Sequence, residues 1–166
     1  MERAVKFDFT YKFGGQPYPF RFTYRHADRA VSPEWLEALP PLSRSGLSIC
    51  VRDLILEIGA DGGVVEAWGY FPSEAWHNRP GLTVPAAEAG RVFFQGSDSL
   101  TPGVSTRIPG TESWQSFAIV GTNWIQFSSA PDAKSDIHVR IASGFICGLA
   151  SGQIVGLWLL VEGNRG

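Results

Sequence analysis

The sequence has little of what marks metal proteins, disulfide-rich domains and nucleotide-dependent enzymes. It contains two cysteines in 166 residues, Cys50 and Cys147, and their spacing builds neither a disulfide framework nor a zinc site. No GxSxG elbow, P-loop or GxGxxG sequence accompanies a strand-to-helix transition, so hydrolase, nucleotide and dinucleotide assignments lack support. We therefore expect two buried free thiols and no cofactor.

Charge and histidine are also scarce. Charged residues make up 18% of the chain and the formal net charge is -2, which gives no overall field that would attract nucleic acid or anionic lipid. The histidines, His26, His77 and His138, lack the close spacing of many metal sites. We expect no nucleic-acid partner and no metal, and the absence of a signal-peptide pattern at the N-terminus favours a cytoplasmic location.

Helical periodicity is nearly absent, and short alternating apolar runs take its place. Residues 5–13 and 20–24 place aromatic and β-branched side chains at every second position, and Gly and Pro clusters separate most such runs. This pattern is typical of an all-β domain. We predict one domain over residues 1–166, an antiparallel β-sandwich or closed barrel of roughly ten short strands. The Ser32-Pro33-Glu34 sequence adds one short helix near residues 33–38.

Three local patterns predict how neighbouring strands connect. The first two runs are expected to form an opening hairpin whose polar face gathers Lys6, Lys12, Arg21 and Arg25. A switch from odd to even apolar positions near Arg52-Asp53 predicts a β-bulge. Asp61-Gly62 predicts a type I′ hairpin turn.

That hairpin turn carries the one candidate catalytic pair. Counting outward from a two-residue loop pairs Glu57 with Glu66 and Ile55 with Trp68, which leaves two carboxylates opposite each other on one face. Their separation of about 5 Å would suit a retaining glycosidase. We favour the simpler interpretation, that both carboxylates point into solvent, because a different loop length would separate the pair.

Residues 141–161 allow two interpretations, because they hold no acidic or basic residue and are long enough to span a bilayer. Glycines at every fourth position from Gly144 to Gly156 resemble those of packed membrane helices. The turn-like sequence Ala150-Ser151-Gly152-Gln153 instead favours a buried hairpin, with 154–161 as a central strand. We expect the hairpin and keep a membrane helix as the alternative.

Two irregular segments hold the candidate binding residues. Segment 72–90 brings together Trp76, His77, Asn78 and Arg79, which combine an aromatic surface, a group that titrates near neutrality and a cation. Segment 97–113 supplies hydroxyls and carboxylates, among them Asp98, and the cation Arg107. Such residues can recognise a partner, and they also simply make turns.

These observations favour a non-enzymatic interaction protein that presents segments 72–90 and 97–113 from a rigid β scaffold to another protein, as an inhibitor or immunity-type protein would. A first alternative is a barrel that binds a small apolar ligand inside. Its interior would draw on several large aromatic residues, namely Phe7, Phe9, Phe22, Trp68, Trp114 and Trp158. A second alternative is a glycan-acting enzyme that uses Glu57 and Glu66.

Overall fold

The computed structural model describes residues 7–37 and 44–163. Within these ranges the chain forms fourteen β-strands and three short 3₁₀ turns, and no α-helix. The strands are β1 (Phe9–Phe13), β2 (Phe20–Arg25), β3 (Ala30–Trp35), β4 (Arg44–Val51), β5 (Leu54–Gly59), β6 (Val64–Tyr70), β7 (Trp76–Arg79), β8 (Glu88–Phe94), β9 (Thr106–Arg107), β10 (Gln115–Ile119), β11 (Trp124–Ser128), β12 (Ile137–Ala142), β13 (Phe145–Ala150) and β14 (Gln153–Gly163). The all-β prediction is confirmed.

Eleven of these strands follow one another in a single sheet that curls into a half-barrel, in the order β1-β8-β12-β13-β14-β2-β3-β6-β5-β4-β9. A branch leaves this path at β14, where β11 pairs with β14, β10 with β11 and β7 with β10. The number of strands exceeds the predicted ten partly because β3 falls where a helix was predicted and β7 falls in a segment predicted to be irregular.

Strand β14 lies where the branch through β11 meets the eleven-stranded path, between β13 and β2. Residues 156–160 pair with β11, residues between 153 and 159 pair with β13, and residues 161–163 then pair in parallel with β2. Leu157, Trp158 and Leu159 are all buried, as expected of a strand covered on both faces. This explains why the segment reads as a continuous apolar run.

The predicted hairpin within residues 141–161 is confirmed, and the alternative of a membrane helix is wrong. β13 and β14 pair antiparallel across a turn in which Ser151 and Gly152 have φ of 50° and 76°, the positive values that a tight two-residue hairpin needs. Across the described ranges, no helix has the length and apolar character that crossing a membrane would require.

The short helix predicted near residues 33–38 is wrong over its described part. Ala30–Trp35 is β3, antiparallel to β2, and residues 38–43 lie outside the described residues. Pro33 is tolerated because β3 pairs with β6 through Ala30 and Val31, so its missing N–H breaks no bond of that ladder. Trp35 packs 4.7 Å from the ring of Phe20, and this burial outweighs the capping signal.

The predicted opening hairpin is also wrong. β1 pairs with β8, whereas β2 pairs with β3 and β14. Lys12 therefore lies on a different part of the sheet from Arg21 and Arg25, and the expected basic face does not form from them; Lys6 lies outside the described residues. A six-residue connection does not by itself determine which strand pairs with β1. Here the partner depends on packing between segments that are distant in the sequence.

Two predicted local features, the bulge at Arg52-Asp53 and the type I′ turn at Asp61-Gly62, differ from the structure in their geometry. Arg52-Asp53 is a two-residue hairpin turn between Val51 and Leu54, not a bulge. The Asp61-Gly62 hairpin is confirmed, but Gly62 alone of the two has a positive φ, 86°. The Gly62 N–H donates to Gly59 O at 2.9 Å, a type I turn followed by a left-handed glycine.

The interior of the half-barrel is filled by large side chains. Phe145 is fully buried, and its ring lies 5.5 Å from Phe22 and 6.2 Å from Phe20. Phe22 meets Phe145 nearly edge-on, a favourable geometry for aromatic pairs. The strands thus frame a packed core, which holds the turns at their ends in fixed positions.

The two cysteines are both free thiols, as predicted, but differ in burial: Cys147 is buried and Cys50 is half-buried. Burial raises the pKa of the Cys147 thiol to about 12, and a thiol in that state is a poor nucleophile. We expect iodoacetamide at pH 8 to label Cys50 in the native protein and Cys147 only after denaturation in urea. Peptide mapping by mass spectrometry measures this; equal labelling of both in native protein would contradict the buried position of β13.

Candidate functional site

Several strand ends meet around the β4–β5 turn at one end of the half-barrel. They enclose a pocket of about 190 Å³, and its polar lining includes Arg52, Asp53, Tyr70, His77 and Gln115. We call this the end pocket. Because the residues come from β4–β5, β6, β7 and β10, the pocket depends on the whole curl of the sheet.

The segment that carries Arg107 clasps the β4–β5 turn. The Arg52 N–H donates to Thr111 Oγ1 at 2.9 Å, and the Arg52 guanidinium donates to Trp114 O. Arg107 Nε donates to Arg52 O at 3.2 Å, and its Nη2 lies 3.5 Å from Asp53 Oδ1. Segment 97–113 thus reaches the turn through backbone and side-chain bonds together.

Arg52 holds an unusual backbone conformation, with φ of +53°. This left-handed region costs a residue other than glycine on the order of 1 kcal/mol, and surrounding contacts must hold it. Here Arg52 is held by the hydrogen bonds that it donates to Thr111 and Trp114 and by the one that it accepts from Arg107. The rim of the end pocket is therefore a fixed feature rather than a loosely placed turn.

The sequence-predicted group Trp76–Arg79 forms strand β7 rather than an irregular loop. β7 runs parallel to β10, with His77 opposite Phe117, and the His77 ring lies 5.9 Å from that of Phe117. His77 is exposed and lines the end pocket. Segment 72–90 and segment 97–113 therefore both contribute to the same end of the molecule.

Trp76 points to the opposite side of β7 from His77. Its ring packs 5.3 Å from Tyr24 and 5.8 Å from Phe71, and its buried Nε1 finds no hydrogen-bond partner among the described residues. The side chain is half-buried at the margin of the core. Trp76 thus packs at the margin of the core, and the part of it that is not buried lines a separate pocket of about 230 Å³ beside Tyr24 and His26.

The remaining predicted residues are not brought into the end pocket. Asn78 and Arg79 are exposed further along β7, opposite Ala118 and Ile119. Asp98 is exposed in the 3₁₀ turn Ser97–Ser99. That turn follows β8, whose Phe94 N–H donates to Gly62 O in the β5–β6 turn, the end of β5 remote from Asp53.

The charges around the end pocket are unequal. Two guanidinium groups, those of Arg52 and Arg107, lie within ion-pair distance of the single carboxylate of Asp53, at 3.8 Å and 3.5 Å. One positive charge is therefore left over among these three side chains, and Arg52 and His77 line the same pocket. Such a site favours a group that brings its own negative charge.

A second set of polar and aromatic side chains lies on the outer face of β5 and β6. The predicted pairing of Glu57 with Glu66 is confirmed, but Glu66 is 6% exposed, so the expectation that both carboxylates point into solvent is wrong for Glu66. Trp35 Nε1 donates to Glu66 Oε2 and Trp68 Nε1 to Glu57 Oε1, each at 2.8 Å. Each carboxylate therefore accepts a hydrogen bond from an indole, which fixes its position on the sheet.

The same outer face exposes two aromatic rings. Trp68 and Tyr70 are 42% and 47% exposed, and they border a groove of about 360 Å³ together with Glu66, Arg25 and Asp28. We call this the outer groove. The expectation that Trp68 is an interior aromatic is wrong, whereas the other predicted interior aromatics are buried, namely Phe7, Phe9, Phe22, Trp114 and Trp158.

Tyr70 connects the two depressions, because it lines both the end pocket and the outer groove. Its neighbour Arg29 has a raised pKa, chiefly because its side chain hydrogen-bonds Tyr70 and secondly because of the charge of Glu74. Arg29 Nε lies 3.3 Å from Glu74 Oε1. The two depressions thus share Tyr70, and charges of both signs lie near it.

Sequence reasoning missed Arg52, Asp53 and Tyr70. The change of apolar phase at Arg52-Asp53 was a usable signal, but interpreting it as a bulge kept both residues inside a strand. Glu66, Trp68 and Tyr70 are every second residue of β6, so alternation along the strand places Tyr70 on the outer face together with the other two.

Comparison with known proteins adds nothing to this geometry: no protein family, no curated protein and no solved structure matches the chain.

Proposed function

We propose that this chain is a non-enzymatic interaction protein, of inhibitor or immunity type, that binds another protein through the end pocket and its rim. The observation that carries the proposal is the convergence of segments 72–90 and 97–113 on one strained turn. His77 from the first and Arg107 from the second lie around Arg52 and Asp53.

The size of the end pocket favours a side chain of a protein partner over a free small molecule. Its volume of about 190 Å³ falls below the range of about 300–1,000 Å³ typical of small-ligand sites. A single inserted side chain needs less room. The rim supplies Arg and Tyr, residue types that often dominate the energy of protein interfaces.

Charge narrows the choice of partner. With Arg52 and Arg107 sharing one carboxylate, an inserted Asp or Glu side chain, or a C-terminal carboxylate, would complete the pairing. We therefore expect the partner to present an acidic residue to the end pocket.

Site-specific photo-cross-linking in the native host tests this proposal. A benzoylphenylalanine replaces His77 in one variant and, as the control, Val120, which is 60% exposed in the turn between β10 and β11. We expect a discrete protein adduct from position 77 and none from position 120. No adduct at position 77, or the same adducts from both positions, would refute the proposal.

The adduct also permits a quantitative prediction. Arg107→Ala, which removes the ion pair with Asp53 at the rim, is expected to weaken binding of the identified partner by about 10- to 30-fold, the range for an arginine that contributes strongly to an interface. Arg79→Ala serves as the matched control, because Arg79 is the last residue of β7 and lies outside the pocket. It should change the Kd less than about twofold. Isothermal titration calorimetry measures both, and equal effects would place the interface elsewhere.

A further inference from the structure

We infer that the outer groove is a second binding site, whose ligand is a neutral oligosaccharide stacked on Trp68. This inference goes beyond the proposed protein partner and involves different side chains, apart from the bordering Tyr70. It depends on how the indole is held, on the mixed charge of the groove and on the volume of the groove.

The Trp68 indole is anchored across the sheet. In the antiparallel register Glu57 lies opposite Glu66, two residues before Trp68 on β6, so the bond from Trp68 Nε1 to Glu57 Oε1 at 2.8 Å crosses diagonally between strands. A ring tethered at its nitrogen and still 42% exposed offers a fixed apolar surface. Fixing the ring before binding lowers the entropic cost of stacking a ligand on it.

A second exposed aromatic follows on the same face. Tyr70 is two residues along β6 from Trp68, a spacing of about 7 Å along an extended strand. Two aromatic rings at that spacing match neighbouring rings of a chain-like ligand better than a single compact one. The apolar C–H face of a sugar ring suits such a surface, and its hydroxyl groups suit nearby carboxylates.

The charges of the groove favour a neutral ligand. Arg25 and Asp28 form an ion pair at 3.1 Å, and both line the groove together with Glu66. Donors and acceptors of both signs are therefore present within one groove. A basic peptide would meet Arg25 and an acidic sugar would meet Asp28 and Glu66, whereas uncharged hydroxyls can donate to the carboxylates and accept from the guanidinium.

The outer groove has a larger volume than the end pocket. At about 360 Å³ it lies within the range of about 300–1,000 Å³ for small-ligand sites. We assign binding without cleavage, because Glu66 is only 6% exposed and each carboxylate is held by an indole N–H. A glycosidase needs both carboxyl groups to reach the scissile bond.

Binding to a printed array of neutral, acidic and basic oligosaccharides tests the inference, with hexa-arginine peptide as an additional arm. We expect the purified full chain to bind neutral oligosaccharides. Trp68→Ala should weaken the best of these by about 30-fold, and Trp68→Phe, which keeps a ring but loses the bond to Glu57, should fall between that variant and the wild type. Trp124→Ala, at a half-buried tryptophan outside the groove, is the matched control and should bind as the wild type does.

Thermal unfolding of each variant confirms that it is folded before binding is compared. Three results would overturn the inference: no neutral oligosaccharide bound, undiminished binding by folded Trp68→Ala, or a preference for the acidic sugars or hexa-arginine. Failure here leaves the cross-link at position 77 intact, so the two proposals fail separately.

Discussion

Phe145→Ala is expected to lower the free energy of unfolding by about 4 kcal/mol, the usual cost of removing a fully buried phenylalanine. Phe145 lies at the start of β13 with rings of Phe20 and Phe22 against it, so the lost side chain leaves a void between two parts of the sheet. A backbone hydrogen bond from the Gly144 N–H to Phe20 O at 2.9 Å holds these parts in place beside the void, so the neighbours can collapse little. Urea denaturation followed by tryptophan fluorescence measures the change.

Tyr11→Ala is the control for that measurement. Tyr11 lies on β1 and is 44% exposed, so its truncation should cost less than about 1 kcal/mol. Similar losses for the two variants would mean that Phe145 is not at the centre of the fold.

Gly69→Ala is expected to lower the free energy of unfolding by about 3 kcal/mol, from backbone strain and overpacking together. Gly69 lies between Trp68 and Tyr70 with φ of +140°, and an added Cβ would stand 2.5 Å from Asp53 O. That oxygen belongs to backbone, so the strand must shift. The shift would separate β6 from the β4–β5 turn and disturb the end pocket and the outer groove at once.

Gly121→Ala is the matched control for Gly69→Ala. Gly121 also has a positive φ, +84°, but nothing lies within 4 Å of a Cβ built there. Its substitution should therefore cost about 1 kcal/mol, the conformational part alone. Equal losses in urea denaturation would show that close approach of β6 to Asp53 O is not what requires glycine.

Local patterns predicted the strands well because each alternation reports which face of a strand is buried. The pairing of Glu57 with Glu66 followed from Asp61-Gly62 alone, since a tight turn fixes register over the residues beside it. Even there the register shifts by one residue near Ile58, because the left-handed glycine adds a residue to one strand. Sequence therefore predicted this hairpin but not its bulge.

Pairings between distant segments could not be predicted in the same way. β1 pairs with β8, about eighty residues away, and β7 lies parallel to β10. Nothing in the spacing of residues 5–13 distinguishes β8 from β2 as the partner, because both offer apolar faces. The choice depends on the packing of the whole core, and so does the end pocket built from those strands.

The candidate site could be predicted only in part, because it too depends on which distant segments pack together. Exposed polar residues marked His77 and Arg107, and the structure brings both towards the β4–β5 turn. Trp76 was chosen for its aromatic ring, yet alternation along β7 turns it towards Tyr24. A residue's type predicts what it can bind, whereas its strand and register decide whether it reaches solvent.

Hydrogen exchange of the chain alone and in complex with the partner captured at position 77 tests the central claim most directly. We predict slower exchange on binding in peptides that cover Arg52-Asp53, His77 and Arg107 together, with no change around Val120. Protection confined to one of the two segments, or centred on the turn between β10 and β11, would contradict recognition by a surface that both segments build.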